Sequence, residues 1–249
     1  MDGGIVIVGA GHAGGSAAAL LRQNGYGGAI TLLGEEPLPP YQRPPLSKAW
    51  LKGEVGSDDL LLRPAAFYAD KQIDLRVSAR VTSIDPQARS VMLADGTAIG
   101  YDALILATGS RLRKLAVPGA DLPGVLELRT AADGDRIRAA LRPGARLAVV
   151  GGGYVGLEVA ASARALGAEV VVLEREPRLL ARVASVELST YFAQLHRAHG
   201  VQVELGADLA AFEARDGRVA GALLRDGRRF ECDVAVVGIT EHAQEALGD

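Results

Sequence analysis

An α/β fold with two parallel-sheet units is predicted by three features of the sequence. An internal repeat is the first: "GIVIVGAGHAGGSAAALLRQNGYGGAITLLGEE" (4–36) is echoed by "RLAVVGGGYVGLEVAASARALGAEVVVLERE" (146–176). Each copy runs from an apolar strand through three glycines and an Ala-rich stretch to a second apolar strand and an acid. That order is one β–α–β unit with a parallel strand pair. The second feature is distance, since Gly9 and Gly151 lie too far apart for a solenoid period of roughly 20–50 residues. The third is a set of short strand-like runs joined by Asp-Gly turns after each copy, which predicts inserted antiparallel strands.

Taken in order, "IVIV" is the first strand, and Gly9, Gly11 and Gly14 lead into the first helix. Next comes "PPYQRPPLSKAWL" (39–51), where prolines fix φ and Leu46, Trp50 and Leu51 carry an apolar helical spacing. This reads as a brace inside the first domain that aims Arg43 and Lys48, since a linker would lie between domains among small polar residues. A short helix is expected near 64–70, and strands at 80–85, 90–94 and 98–100, with Asp95-Gly96 as the hairpin turn. "YDALILATGS" (101–110) is an apolar strand ending in small residues. Periodicity breaks at "VPGADLPG", setting the expected domains at 1–117 and 118–240, with a short tail at 241–249. The second half repeats the plan: a helix around 184–199, "VQVEL", strands turning at Asp216-Gly217 and Asp226-Gly227, and "CDVAVVGI" (232–239).

Composition narrows the chemistry. The 249 residues are 49% hydrophobic and 23% charged, enough for a real core in a soluble protein. A net charge of −3 gives no basic field for nucleic acid. Arg outnumbers Lys 23 to 4, which bears on genome composition and not on mechanism. A single cysteine, Cys232, excludes a Cys-pair redox centre and sits in a buried-strand pattern as an inert thiol. The N-terminus has no basic region before its short apolar run, so no signal peptide is expected. No stretch reaches about 18 uninterrupted apolar residues, so no membrane span is expected and a cytoplasmic location is the default. His196 and His199 are spaced i, i+3 without a third ligand, so no metal site is expected.

The glycine loops point to dinucleotides. After a strand, the first glycine permits the tight turn, the second lets the main chain approach a pyrophosphate, and the third lets helix and strand pack closely. The free N–H groups and dipole of the helix N-terminus face the phosphates. Both units are therefore Rossmann-like, with Gly9, Gly11 and Gly14 in one loop and Gly151, Gly153 and Gly156 in the other. Glu35 and Glu174 follow the second strands, where a carboxylate accepts ribose hydroxyls and repels a 2′-phosphate. Glu174 thus favours NAD over NADP, a preference that Arg175 and Arg178 could soften. Two such sites imply a tightly held FAD and an exchanging NAD(H), with the cofactors carrying the hydride chemistry.

The succession "VGAGHAG", "PYQRPPLSKAWL", "YDALILATGSRLR", "LRTAADGDRIRAAL" and "VVGGGYVGLEVAASA" is similar to the NADH-dependent ferredoxin reductases of bacterial oxygenase systems. These include the putidaredoxin reductase type and the reductase components of aromatic-ring dioxygenases. The resemblance implies hydride transfer from NADH to FAD, then single electrons passed to a ferredoxin or rubredoxin that serves an oxygenase. It implies that His12 and Ala13 lie in the FAD pyrophosphate loop, His12 through its backbone, and that Glu35 holds the FAD ribose. Arg43 and Lys48 would approach the flavin and its ribityl–phosphate chain, and Val81 would meet the adenine through its backbone. Ala107, Thr108 and Gly109 would line the flavin site, with Arg111 close by and Arg129 as a further contact. Gly153, Tyr154, Val155 and Gly156 would surround the NAD pyrophosphate, with Glu174 on the ribose. Glu158 would reach the nicotinamide and pair with Lys48, and Gly238 would lie near the nicotinamide. Lys48 and Glu158 are the catalytic candidates, Lys48 by offsetting negative charge. The family continues past "VAVVGI" into a segment with an A-x-GD motif and a C-terminal interface domain. Here the sequence ends "TEHAQEALGD", and Gly248-Asp249 has no strand before it to make that motif. The expectation is a C-terminally truncated chain with an incomplete FAD domain. The alternative is a non-catalytic remnant that binds NAD(H) and holds FAD weakly or not at all.

Overall fold

A computed structural model describes residues 4–112 and 114–238 and the backbone of 241–243. The 241–249 tail, Gly248-Asp249 included, otherwise lies outside the described residues. The chain groups into two compact units. One takes Met1–Gln42, Ser57–Arg111 and His242–Asp249, and the other takes Arg43–Gly56 and Leu112–Glu241.

This grouping divides the chain differently from the expected boundary at 117/118 and sets the proline brace with the second unit. Arg43–Gly56 belongs with the second unit, because its buried side chains are tied there. The Trp50 Nε1–H donates to the Ala131 carbonyl at 3.2 Å, and the Ser162 hydroxyl donates to the Ser47 carbonyl at 2.7 Å.

In the first unit, β1 (Ile5–Val8), β2 (Ile30–Leu33), β3 (Ile73–Arg76) and β7 (Ala103–Leu106) form a parallel sheet ordered β3-β2-β1-β7. The apolar run of β1 serves a strand covered on both faces, as parallel sheets require. Val6 and Val8 point one way, into a cluster with Leu33, Val81, Val91 and Leu93. Ile7 points the other way, among Ala18, Ile30, Leu32, Tyr68 and Ile73. The strand β3 was not read from the sequence: "IDLR" is short and alternates apolar with charged residues. The inserted strands β4 (Val81–Asp85), β5 (Ser90–Leu93) and β6 (Ala98–Gly100) are antiparallel. They turn at Asp95-Gly96, where Gly96 has φ +86°. The next strand, β8 (Ser110–Leu112), pairs with β17 (Glu241–Ala243) in a two-stranded sheet.

The second unit repeats the design with one more strand. Its parallel sheet is ordered β12-β11-β10-β16-β9: Val201–Leu205, Glu169–Glu174, Arg146–Val150, Val234–Val237 and Val125–Glu127. An antiparallel sheet of β13 (Leu209–Arg215), β14 (Arg218–Leu224) and β15 (Arg229–Glu231) covers one face. Phe212, Val219 and Leu224 there pack on Val150, Leu173 and Val237. By position β16 corresponds to β7, yet the described part of the first unit has no counterpart of β9 beyond β7. Leu106 on β7 is accordingly 52% exposed.

Candidate functional site: two glycine loops and a carboxylate cluster

Among the described residues, four helices of ten or more residues show a contrast at their N-termini. Ala131–Ala140 is capped by the Thr130 hydroxyl with Asp133 completing a capping box, and Val186–Ala198 is capped by Ser185. His12–Gln23 and Tyr154–Ala165 start instead at Gly11 and Gly153, with no side-chain cap and no acid in the first turn. Their first N–H groups are left for another acceptor, the arrangement that suits an anion.

The glycines of each loop differ in what surrounds them. A Cβ on Gly9 (φ +110°) would lie 2.1 Å from the Ala107 carbonyl oxygen, and one on Gly14 would lie 1.9 Å from the Gly9 oxygen. The second loop matches: a Cβ on Gly156 would lie 2.2 Å from the Gly151 oxygen. At Gly11 and Gly153 a Cβ would meet no atom within 4 Å. The middle glycine of each loop thus opens a cradle where a side chain would stand. Dinucleotide pyrophosphates fit both loops on this observation.

Strand register shows that the two acids are not equivalent. Leu33 pairs with Val8 and Leu173 with Val150, so Glu174 occupies the place of Gly34, and Glu35 stands one residue further on. Glu174 turns inward: Oε2 accepts from the Gly152 N–H at 2.5 Å and Oε1 from the Glu176 N–H at 2.7 Å. A Cβ on Gly152 would come within 2.9 Å of Glu174 Oε2. In the first unit the occupancy is reversed, for Ala10 fills the space and a Cβ on Gly34 would lie 2.6 Å from the Ala10 Cβ. Glu35 is exposed, 3.6 Å from Arg80 Nε. Arg178, expected to soften the nucleotide preference, already has partners. Its guanidinium is engaged by the Ala181 and Ala184 carbonyls and the Ser189 hydroxyl. Arg175 is exposed and pairs with Glu176 at 3.3 Å.

The brace forms a second cluster within the second unit. Pro44–Ser47 is a 3-10 turn and Ala49–Lys52 a helical turn, with Lys48 between them at φ −123°, ψ −109°. This break lets adjacent side chains converge, which a continuous helix would prevent. The Ser47 hydroxyl donates to Glu158 Oε2 at 2.6 Å, and Lys48 Nζ lies 2.6 Å from the same oxygen. Arg43 donates to the Arg129 carbonyl. Trp50 is buried against the helix Ala131–Ala140, where a Cβ on Gly134 would lie 2.8 Å from the indole Cδ1.

The remaining expected residues fall into place by unit. In the first, Val81 is buried at the start of β4, and Ala107 follows β7 with its N–H on the Val8 carbonyl at 2.8 Å. Thr108 and Gly109 (φ +74°) come next, Arg111 is exposed on β8, and His12 and Ala13 are exposed in the first turn of their helix. In the second, Tyr154 and Val155 are exposed at the helix start, and the Gly238 N–H donates to the Val150 carbonyl at 2.9 Å. A Cβ on Gly238 would lie 3.3 Å from the Gly156 Cα, so this glycine seats the end of β16 against the loop. Sequence reasoning missed Ser47, Ser162, Gly134 and Gly152. Ser47 was visible only as part of "LSK", because its partner lies far along the chain. Cys232 is buried, and burial pushes its thiol up to about 12. No cluster of three metal-ligating side chains occurs among the described residues.

A family profile described as pyridine nucleotide-disulphide oxidoreductase matches residues 3–247. The chain belongs to this family. It is 50% identical over 233 residues to the probable ferredoxin reductase CtmF of Castellaniella defragrans, covering 94% of this chain and 57% of that protein. It also superposes on the crystal structure of the ferredoxin reductase for the CYP199A2 system from Rhodopseudomonas palustris. There the TM-score is 0.92 and the identity 45%, over 97% of this chain and 59% of the other. The covalent putidaredoxin reductase–putidaredoxin complex matches with a TM-score of 0.92 and 38% identity, covering 96% of this chain and 59% of that one. The chain therefore spans under two thirds of the length of these relatives. With one cysteine in 249 residues, it carries no dithiol pair of its own.

Proposed function

We propose that the first unit holds FAD on the Gly9–Gly14 loop and the second binds NAD(H) on the Gly151–Gly156 loop. The chain is then the dinucleotide-binding part of an NADH-dependent ferredoxin reductase. Its acceptor is a small iron–sulfur protein of the ferredoxin or rubredoxin class, which in turn serves an oxygenase. The observation that carries this reading is the pair of helices started by glycine, uncapped, with Gly11 and Gly153 facing open space. Bound flavin supplies the conversion of a two-electron hydride donor into single-electron steps.

The chain's own residues bind and orient. Main-chain N–H groups at the two loops receive pyrophosphate oxygens. Glu35 accepts the FAD ribose hydroxyls, and Ala107, Thr108, Gly109 and Arg111 line the flavin's side of the first unit. Glu174 accepts the NAD ribose hydroxyls and repels a 2′-phosphate, a preference strengthened because Arg178 is already engaged. Glu158 orients the nicotinamide, and Lys48 supplies positive charge. Arg43 and Arg129 add cationic contacts. No helix among the described residues is long and apolar enough to cross a membrane, and we place the protein in the cytoplasm.

A second reading is a remnant that binds NAD(H) without turnover. The edge of β7, which no strand covers among the described residues, and the exposed Leu106 support weak flavin retention. Purification separates the two. Yellow protein that bleaches on adding NADH supports the reductase, colourless protein that still binds NADH supports the remnant, and failure to bind NADH refutes both.

A further inference from the structure

The Glu158 carboxylate has two partners on adjacent residues, and they differ in kind. Lys48 has a 48% exposed side chain and a second acceptor in the Pro44 carbonyl at 3.2 Å. An exposed ammonium in such a pair contributes little to holding a geometry. Ser47 is 4% exposed, and a second acceptor near its hydroxyl, the Pro44 carbonyl, is at 3.4 Å, the far limit of a hydrogen bond. Its main chain is also gripped, since Ser162, one turn beyond Glu158 on the same helix, donates to the Ser47 carbonyl. One helix thus holds residue 47 at two points, through Ser162 to the main chain and through Glu158 to the hydroxyl. A short O–H···O⁻ bond to a buried, immobilised hydroxyl fixes a carboxylate more firmly than a mobile ammonium does.

We propose that Ser47 is a positioning residue for NAD(H): it holds Glu158 toward the nicotinamide, so that Lys48 is free to leave the carboxylate without releasing it. This rests on the reading of the second unit as the NAD(H) site. The test is equilibrium titration of the full chain with NADH and, separately, with ADP-ribose, which lacks the nicotinamide. Ser47→Ala should weaken NADH binding about tenfold, the loss of one charge-assisted hydrogen bond, and leave ADP-ribose within about twofold. In a Glu158→Ala background the same change should add less than about twofold. Ser47→Cys, which keeps the volume but donates weakly, should reproduce the selective loss without a cavity. Equal losses for both ligands, additive losses with Glu158→Ala, or no loss at all overturn the role of Ser47 while leaving the NAD(H) site in place. Absence of both NADH and ADP-ribose binding in the unsubstituted chain overturns the site and the inference together.

Discussion

Gly134 lies in the middle of the helix Ala131–Ala140, where helix propensity alone favours alanine by about 1 kcal/mol. The structure predicts the opposite sign for Gly134→Ala. The new Cβ would lie 2.8 Å from Trp50 Cδ1 and 3.1 Å from Nε1, against an optimum near 3.5–4.0 Å for carbon contacts. The indole cannot yield cheaply. It is buried, its Nε1–H is committed to the Ala131 carbonyl, and the Arg138 guanidinium lies over its ring at 5.4 Å. Overpacking costs about 1–3 kcal/mol, and a buried N–H pulled from its acceptor costs about 1–3 kcal/mol more. After the propensity gain of about 1 kcal/mol, the second unit should lose about 1–5 kcal/mol. Trp50 is the sole tryptophan, so its emission reports this contact during urea unfolding. A lower midpoint with altered native emission is expected. A variant about 1 kcal/mol more stable with unchanged emission would refute the packing argument and hand the position back to propensity.

Other outcomes follow from single groups. The Arg22 guanidinium donates to four carbonyls, of Tyr26, Gly28, Lys71 and Gln72, at 2.7–2.8 Å. Arg22→Ala should lower the stability of the first unit by about 1–2 kcal/mol in urea unfolding, and Arg22→Lys should recover little, lacking the planar fork. The Tyr68 hydroxyl is buried with no hydrogen-bond partner among the described residues, so Tyr68→Phe should leave the thermal midpoint unchanged or raise it. Burial, and secondarily His199, hold the buried His196 below the ordinary histidine value. The unfolded chain then binds the proton first, so this contribution is full above about pH 6.5 and is lost as pH falls through the folded-state value. His196→Leu should flatten the fall in melting temperature between about pH 7 and 5. Cys232, with its thiol raised to about 12, should resist an aromatic disulfide reagent at neutral pH until denaturant opens the second unit.

Local chemistry was the legible part of this sequence. Glycines that obstruct their own loop, Asp-Gly turns and unbroken apolar strands act over a few residues, and each was readable from spacing. The strand β3 was not, because "IDLR" has no run long enough to set a period and takes its place from pairing with β2. The brace was misplaced for a related reason. Its stiffness is local, but its allegiance is decided by Ala131, Glu158 and Ser162, all distant in the chain. The acids show the limit most sharply. Counting from each glycine set Glu35 beside Glu174 as equivalents, whereas register puts Gly34 in that place. The exchange is reciprocal: where the loop carries Ala10 the strand end carries glycine, and where the loop carries Gly152 the strand end carries a carboxylate. One volume is filled from the loop in one unit and from the strand in the other. Only in the second does an acid from the strand end reach the loop, accepting from the Gly152 N–H, an approach that a side chain at 152 would obstruct.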